Sequence, residues 1–145
     1  MEHLAIMKKG SGFLEKIISG EKIIESRWYQ TKRTPWDKLA PGEVIFFKNS
    51  GEPVTVRAVI DRVIQLDKLT SNKIKGILTE FGKDIGVESS EEFIKTIKNK
   101  KYCILIFLDK VELVEPFLID KTGFGMMSAW ITVKNINDIK RGLRN

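Results

Sequence analysis

The most informative segment of the chain is Gly20-Glu21-Lys22-Ile23-Ile24-Glu25-Ser26-Arg27. Successive side chains of a β-strand point to opposite faces, so Glu25 and Arg27 should project together if this segment is extended. Lys22 follows the glycine turn, where strict alternation need not hold, and it can approach the same cleft or remain a solvated turn residue. A carboxylate beside a guanidinium makes a rigid polar fork, and a lysine adds a point charge suited to phosphate binding or proton transfer. The segment therefore predicts a charged site and leaves its reaction open.

An aromatic and basic patch follows this segment. Trp28 and Tyr29 come directly after it, and Trp36 lies in a polar stretch that also contains Lys32 and Arg33. Single-stranded nucleic acids are bound by aromatic rings that stack on bases and by cations that contact phosphates. We therefore predict that these five residues contribute to ligand binding, with packing in the hydrophobic core as the alternative for the aromatic rings.

The composition is that of an ordinary single-domain protein. The chain has 145 residues, of which 42% are hydrophobic and 30% charged, and we expect one domain over residues 1–145. The longest apolar run, residues 102–108, is too short to cross a membrane, and the first residues lack the order of a signal peptide, so a cytoplasmic location is expected. The net charge of +6 favours a polyanionic partner only slightly, because 19 acidic residues are mixed among the 25 basic ones.

Cysteine and histidine are too scarce for several common kinds of site. Cys103 is the single cysteine and lies in an apolar run, which excludes a disulfide within the chain and predicts a buried thiol. One cysteine and one histidine cannot supply a conventional zinc site, so no metal or other cofactor is expected. His3 lies close to the N-terminus, where we expect poor order, and Ser128 has no histidine or aspartate near it. A serine-histidine-aspartate triad is therefore not expected.

Hydrophobic periodicity predicts an α+β fold. Strands are expected near residues 4–7, 21–28, 44–48, 54–66 and 129–133, and over 101–117 with a break at Asp109-Lys110 and a stop at Pro116. Helices are expected from a Ser11 cap to Gly20, over 70–81 and after a Ser89-Ser90 cap, and the basic tail 135–145 is compatible with a short helix. Five or six strands that do not alternate regularly with helices favour a small, mostly antiparallel, barrel-like sheet with inserted helices.

The segment from Gly20 to Arg27 resembles the G-x-K-x-x-E-x-R signature of ASCH domains, a branch of the PUA-like superfamily. Three further segments agree with that family in order and spacing, so the resemblance extends over roughly residues 4–134. They are Pro41-Gly42-Glu43-Val44-Ile45-Phe46-Phe47, Val56-x-Ala58-x-Ile60-x-x-Val63 and Gly123-Phe124-Gly125-Met126-x-Ser128-Ala129-Trp130.

The resemblance implies a PUA-like β-barrel whose cleft is lined by the signature segment, with RNA or a nucleotide-like molecule as ligand. Some small ASCH-like proteins are amidohydrolases that remove acyl groups from modified cytidine, using the signature lysine and a threonine three positions later. Lys22 matches that lysine, whereas Glu25 stands where those enzymes have threonine, which departs from the deacylase pattern. RNA cleavage is another activity proposed in the family.

Three kinds of function remain open from the sequence, as does the oligomeric state. The first is recognition of RNA or a modified nucleotide, with Lys22 and Arg27 on anionic groups and Glu25 on the amino groups of a base. The second is hydrolysis of N-acylated nucleosides or of RNA, with Lys22 and Glu25 as catalytic residues. A further acid or base is then expected in the insertion between the long strands, where the candidates are Glu80, Glu88, Glu91 and Glu92. The third is binding of another protein through exposed aromatic rings.

Overall fold

The computed structural model describes residues 1–141, which contain seven strands and three α-helices. In chain order the elements are β1 (Glu2–Met7), α1 (Phe13–Ser19), β2 (Ile24–Tyr29), β3 (Val44–Asn49), β4 (Val54–Leu66), α2 (Ser71–Ile85), α3 (Ser90–Ile97), β5 (Tyr102–Ile119), β6 (Trp130–Val133), a 3-10 helix (Ile136–Ile139) and β7 (Lys140–Arg141). None of the helices in this part of the chain combines the length and apolarity that crossing a bilayer requires.

The strands form one sheet in the order β2-β5-β4-β3-β1-β6, and β7 pairs with β5 beside this path. All pairs are antiparallel except β1 with β3, so the predicted, mostly antiparallel sheet is confirmed. The prediction of five or six strands falls short of the seven observed, and β7 was missed because its two residues are too few to show a period. The sheet curls until its outer strands approach each other, since Arg27 on β2 reaches the backbone carbonyls of Ile6 and Ala129.

Helix α1 and strand β2 differ in detail from the prediction. Gly12, with φ of 82°, is the residue that precedes α1, while the Ser11 hydroxyl accepts a hydrogen bond from the Phe13 N–H at 3.4 Å without occupying the cap. The predicted serine cap is therefore wrong. Gly20 ends α1 with φ of 88°, as expected for a glycine that follows a helix. Strand β2 begins at Ile24 rather than residue 21, so Lys22 lies outside the strand.

Strand β5 is continuous and longer than predicted. The break expected near Asp109-Lys110 is a bulge, where Lys110 has φ of 50° and the register against β4 shifts. Pro116 does not stop the strand, which continues to Ile119. Phe117 pairs with Val54 and Leu113 with Val56, so three residues, 114–116, stand opposite a single one. A proline in such a bulge has no ladder hydrogen bond to lose.

Both faces of the sheet are covered by apolar packing. On β5, Ile104 and Ile106 belong to a cluster with Leu14 and Ile17 of α1. The intervening Cys103 and Leu105 belong to a second cluster, which joins α2 and α3 to β2. Successive side chains of β5 point to opposite faces of the sheet, and both faces are buried, which explains this division. Cys103 is fully buried, which confirms the predicted core thiol.

The structure also differs in detail from the prediction in the helical insertion between β4 and β5 and in the C-terminal tail. Helix α2 runs to Ile85, four residues beyond the predicted end, and Ser89 caps α3 by accepting a hydrogen bond from Glu92 N–H. The short helix expected over 135–145 is a 3-10 helix over Ile136–Ile139, followed by β7. The remainder of that predicted tail, residues 142–145, lies outside the described residues.

Candidate functional site

Three charged side chains of the signature segment converge on Glu25. The Lys22 Nζ lies 3.1 Å from Glu25 Oε1. Arg27 Nε donates to Glu25 Oε2 at 2.9 Å, and Arg27 NH2 lies 2.9 Å from the same oxygen. Glu25 is 3% exposed, so this is a buried ion triad. The strand alternation that places Glu25 and Arg27 on one face is as expected from the sequence.

Lys22 is not the solvated turn lysine that the sequence allowed. Its side chain is 1% exposed, and its ammonium donates to the carbonyls of Ile24 at 2.7 Å and Ile85 at 2.6 Å besides pairing with Glu25. The three acceptors use all three N–H donors of a protonated lysine. Burial lowers the pKa of Lys22, and the charge of Glu25 opposes that shift. The residue therefore ties β2 to the end of α2 and has no donor left for a ligand.

Gly86 makes room for the buried lysine. It follows α2 with φ of 93°, and a Cβ placed there would lie 3.3 Å from the Lys22 Cβ. A larger residue would be strained by this backbone conformation and crowded by the lysine stem.

Glu25 is held as a carboxylate. Burial alone would raise the pKa of its carboxyl group, but the charges of Lys22 and Arg27 and their hydrogen bonds keep that pKa below its ordinary value. Both oxygens are occupied by these partners. An ionised, fully paired carboxylate is a weak proton acceptor, so the geometry assigns Glu25 to holding Arg27 in place.

Arg27 bridges the seam between the two outer strands of the curled sheet. Its NH1 donates to the Ala129 carbonyl at 3.3 Å and its NH2 to the Ile6 carbonyl at 3.4 Å. Its guanidinium lies 5.2 Å from the centre of the Trp130 ring. The guanidinium also contacts Met7 Sδ through NH2 at 3.5 Å and is hydrogen-bonded to the Tyr29 side chain, so protein groups surround it. The Arg27 side chain is 12% exposed, so it is the member of the triad that solvent reaches.

Three cavities open along this seam, and Ala129 lines all of them. The inner cavity, of about 320 Å³, contains the ion triad and the rings of Phe13, Trp28, Tyr29 and Phe93. The outer cavity, of about 700 Å³, is reached past Tyr29. The lateral cavity, of about 430 Å³, shares Arg27 with the inner one. We call the three together the seam cleft.

The seam cleft contains six of the eight predicted ligand-binding residues. Five of them, Lys22, Glu25, Arg27, Trp28 and Tyr29, line the inner cavity, and Arg33 lines the outer one. Trp28 donates from its indole nitrogen to the Ser26 hydroxyl at 2.9 Å and packs edge-on against Phe93.

Lys32 and Trp36 do not line the cleft. Trp36 packs edge-on against Tyr102 with ring centres 5.2 Å apart, and the Lys32 ammonium lies 5.8 Å from the Trp36 ring. The sequence placed them beside Arg33, but the loop turns them towards β5 instead. Their part in ligand binding stays a prediction.

The lining of the seam cleft is strongly basic. Within the described part of the chain, Glu25 is its only carboxylate, and its eight basic side chains are Lys8, Lys9, Lys22, Arg27, Arg33, Lys38, Lys100 and Lys121. The four glutamates proposed from the insertion lie elsewhere. Glu88 pairs with Lys16, Glu92 pairs with Lys95, and Glu80 lines a separate groove against α2. An acid or base from residues 80–92 is therefore not brought to the triad.

His3 was undervalued from the sequence, because it is fully buried in the wall beside the outer cavity. Its Nδ1 lies 2.9 Å from the Thr132 hydroxyl and 3.3 Å from the Trp130 indole nitrogen, and its Nε2 lies 2.8 Å from Glu43. An indole N–H can only donate, so these partners assign the proton of neutral His3 to Nε2. No local pattern marks this cluster, because its members come from three distant segments.

We expect the single histidine to titrate at unusually low pH. Burial is the main cause that lowers the pKa of His3, and it outweighs the hydrogen bond and charge of Glu43, which raise it. The ring proton signals of His3 in a proton NMR titration should therefore have a midpoint below about 6.5. The unfolded chain binds this proton at higher pH than the folded one, so the free energy of unfolding should fall as pH drops between the two pKa values. A midpoint above 6.5 would mean that the pair with Glu43 dominates.

Comparison with known proteins identifies the fold. The chain matches no protein-family model and no curated protein. Among solved structures, a tyrosine-to-phenylalanine variant of the ASCH protein from Zymomonas mobilis is similar, with a TM-score of 0.71 and 15% identity over 94% of this chain and 93% of that one. The ASCH protein itself from that organism gives a TM-score of 0.69 and 16% identity over 92% and 87%. The chain thus has the α+β fold of the ASCH protein from that organism.

Proposed function

We propose that the protein binds single-stranded RNA or a modified nucleotide in the seam cleft. The observation that carries this proposal is the charge of the lining, where eight basic side chains accompany one carboxylate that two of them already neutralise. Such a surface attracts phosphates and releases their counterions. The ASCH fold is compatible with this ligand class, which the signature segment also implies.

The inner cavity supplies what a base would need. Trp28, Tyr29 and Phe93 present aromatic surface there, and stacking on such rings is worth about 1–3 kcal/mol per base. Its volume of about 320 Å³ is at the small end for a ligand site, as suits one base or nucleoside. Arg27 is partly exposed and lies at the junction with the lateral cavity, where its positive charge can attract an anionic group.

Lys22 and Glu25 then act as positioning residues. Glu25 holds the guanidinium of Arg27 from behind, and Lys22 neutralises Glu25 and fixes β2 on α2. The hydrolase alternative needs one of them to move a proton, but both are fully paired, and no second carboxylate lines the described part of the cleft. Recognition is therefore favoured over turnover. We also propose that the whole chain acts as one domain.

Fluorescence titration with short single-stranded RNA tests the proposal. Trp28 lines the inner cavity and Trp36 lies outside it, so the two tryptophans provide a matched pair of variants. We expect RNA to change the emission of the native protein and of Trp36→Phe, with affinity that weakens as salt rises. The change should be smaller in Trp28→Phe, where Trp130 of the outer cavity remains as a reporter. Absence of salt-sensitive binding at micromolar RNA would contradict the proposal.

A second arm separates binding from catalysis. Labelled RNA and N-acetylated cytidine are incubated with the protein, and the products are followed by chromatography. Binding without products supports recognition alone. Accumulation of shortened RNA or of free cytidine would instead assign the cleft to a hydrolase, and would overturn the positioning roles of Lys22 and Glu25.

A further inference from the structure

The seam cleft does not end at Arg27. The lateral cavity continues into a further cavity of about 440 Å³, which we call the end cavity, and the two share Lys121 and Met126. Arg27 and Lys121 line the same lateral cavity, and Lys121 and Arg141 line the end cavity. Cationic side chains therefore follow one another from the ion triad to β7.

This stretch of surface concentrates positive charge near Lys48 on β3. Partial burial lowers the pKa of Lys48, and the charges of Lys121 and Arg141 lower it further, while Glu52 is the one residue within 1–141 whose charge raises it. Glu52 is already 3.3 Å from the Lys9 ammonium. Asp120 also lines the end cavity, where its carboxylate accepts a hydrogen bond from the Thr122 N–H. Crowded cations of this kind are relieved by an anion that binds among them.

The loop over residues 122–128 adds apolar surface beside these cations. Lys121 holds the loop by donating to the carbonyls of Met126 at 2.8 Å and Ser128 at 2.9 Å. The side chains of Met126 and Met127 are 90% and 94% exposed, and both line the lateral cavity. Thioether side chains adapt their shape to a flat partner more readily than branched ones. Cations and exposed apolar groups side by side match the alternating phosphates and bases of a single strand.

We propose that Lys121 and Arg141, which line the end cavity, form a second phosphate subsite beside Lys48, so that the protein takes a single-stranded RNA segment of several nucleotides rather than one nucleotide. The inner cavity receives one base, and the chain of the ligand continues past Arg27 through the lateral cavity to the end cavity. This inference rests on the proposed function. It adds that longer RNA binds more tightly and that the RNA runs from the inner cavity to the end cavity.

Oligouridylates of one, two, four and eight nucleotides test the proposal, with affinities measured by calorimetry at two salt concentrations. The native protein should bind the octanucleotide at least about tenfold more tightly than the mononucleotide. The double variant Lys48→Gln/Arg141→Gln should lose about that factor for the octanucleotide, and its salt slope should fall by about 1.4, since each single-strand phosphate contact contributes about 0.7. Its affinity for uridine monophosphate should stay unchanged.

The matched control is Lys75→Gln/Lys83→Gln, which removes the same net charge from exposed positions of α2 that line none of these cavities. Equal losses in the two double variants, or equal affinity for all four lengths, overturn the inference and leave the proposed function standing. If no oligouridylate of any length binds, both the inference and the proposed function are contradicted. The single variant Arg141→Gln, which changes an exposed residue, gives the same comparison should Lys48→Gln disturb folding.

Tripolyphosphate distinguishes a polynucleotide site from a general anion site. It supplies adjoining phosphates without bases, and we expect it to bind more weakly than the octanucleotide because it cannot use the inner cavity or the methionines. Equal or tighter binding of tripolyphosphate would overturn the assignment to RNA.

Discussion

Glu25→Ala is expected to lower the free energy of unfolding by about 3–5 kcal/mol, the range found when one partner of a buried ion pair is removed. Glu25 is 3% exposed and is the acceptor for both Lys22 and Arg27. Its loss leaves the ammonium of a 1% exposed lysine without a counter-charge, and water cannot replace the carboxylate there. Urea unfolding followed by circular dichroism gives the measurement.

Glu112→Ala is the matched control for this prediction. Glu112 also lies on a strand and pairs with an arginine, Arg57, at 3.3 Å, but its side chain is 59% exposed. Exposed pairs contribute about 0–1 kcal/mol, so this variant should unfold almost like the native protein. Similar losses in the two variants would show that the triad is worth no more than a surface ion pair.

Parts of the site that depend on local geometry could be predicted from the sequence. Alternation along β2 placed Glu25 and Arg27 on one face, and the structure joins them at 2.9 Å. The turns at Gly20 and Gly42 were also predicted from the sequence, and in the structure both glycines have positive φ. Such features are fixed by neighbouring residues and by backbone sterics, which a sequence displays directly.

Contacts between distant segments could not be predicted in the same way. Lys22 bonds to Ile85, which is 63 positions away, and Arg27 reaches Ala129, which is 102 positions away. Whether a lysine beside a turn is solvated or buried depends on which helix end packs over it. The sequence around Gly86 does not indicate that the end of α2 packs over Lys22. His3 was missed for the same reason, since Glu43 and Thr132 approach it only through the sheet.

The positions of Lys32 and Trp36 outside the seam cleft show the limit of reasoning from composition. Both residues belong to a basic and aromatic patch in sequence, and Arg33 of that patch does line the outer cavity. Backbone direction in a loop is not set by periodicity, so adjacent residues can face different surroundings. Trp36 consequently packs on Tyr102.

Arg27 connects the fold and the proposed function, because the same guanidinium spans the seam and lines the cleft. Lysine keeps the charge at this position but has one ammonium in place of a planar fork, so it cannot contact Glu25, Ile6 and Ala129 with the same geometry. Arg27→Lys therefore tests whether the shape of the guanidinium matters at this position beyond its positive charge.

Arg27→Lys is expected to weaken binding of single-stranded RNA by roughly ten- to hundredfold, since a hydrogen bond to a charged group is worth about 1.5–3 kcal/mol. Its salt slope should equal that of the native protein because the charge is retained, whereas Arg27→Gln should lose both affinity and about 0.7 of slope. Arg57→Lys, at an arginine 34% exposed, is the control and should bind normally. If Arg27→Lys binds like the native protein while its thermal unfolding is unchanged, the fork is not needed, and the cleft holds its ligand by net charge alone.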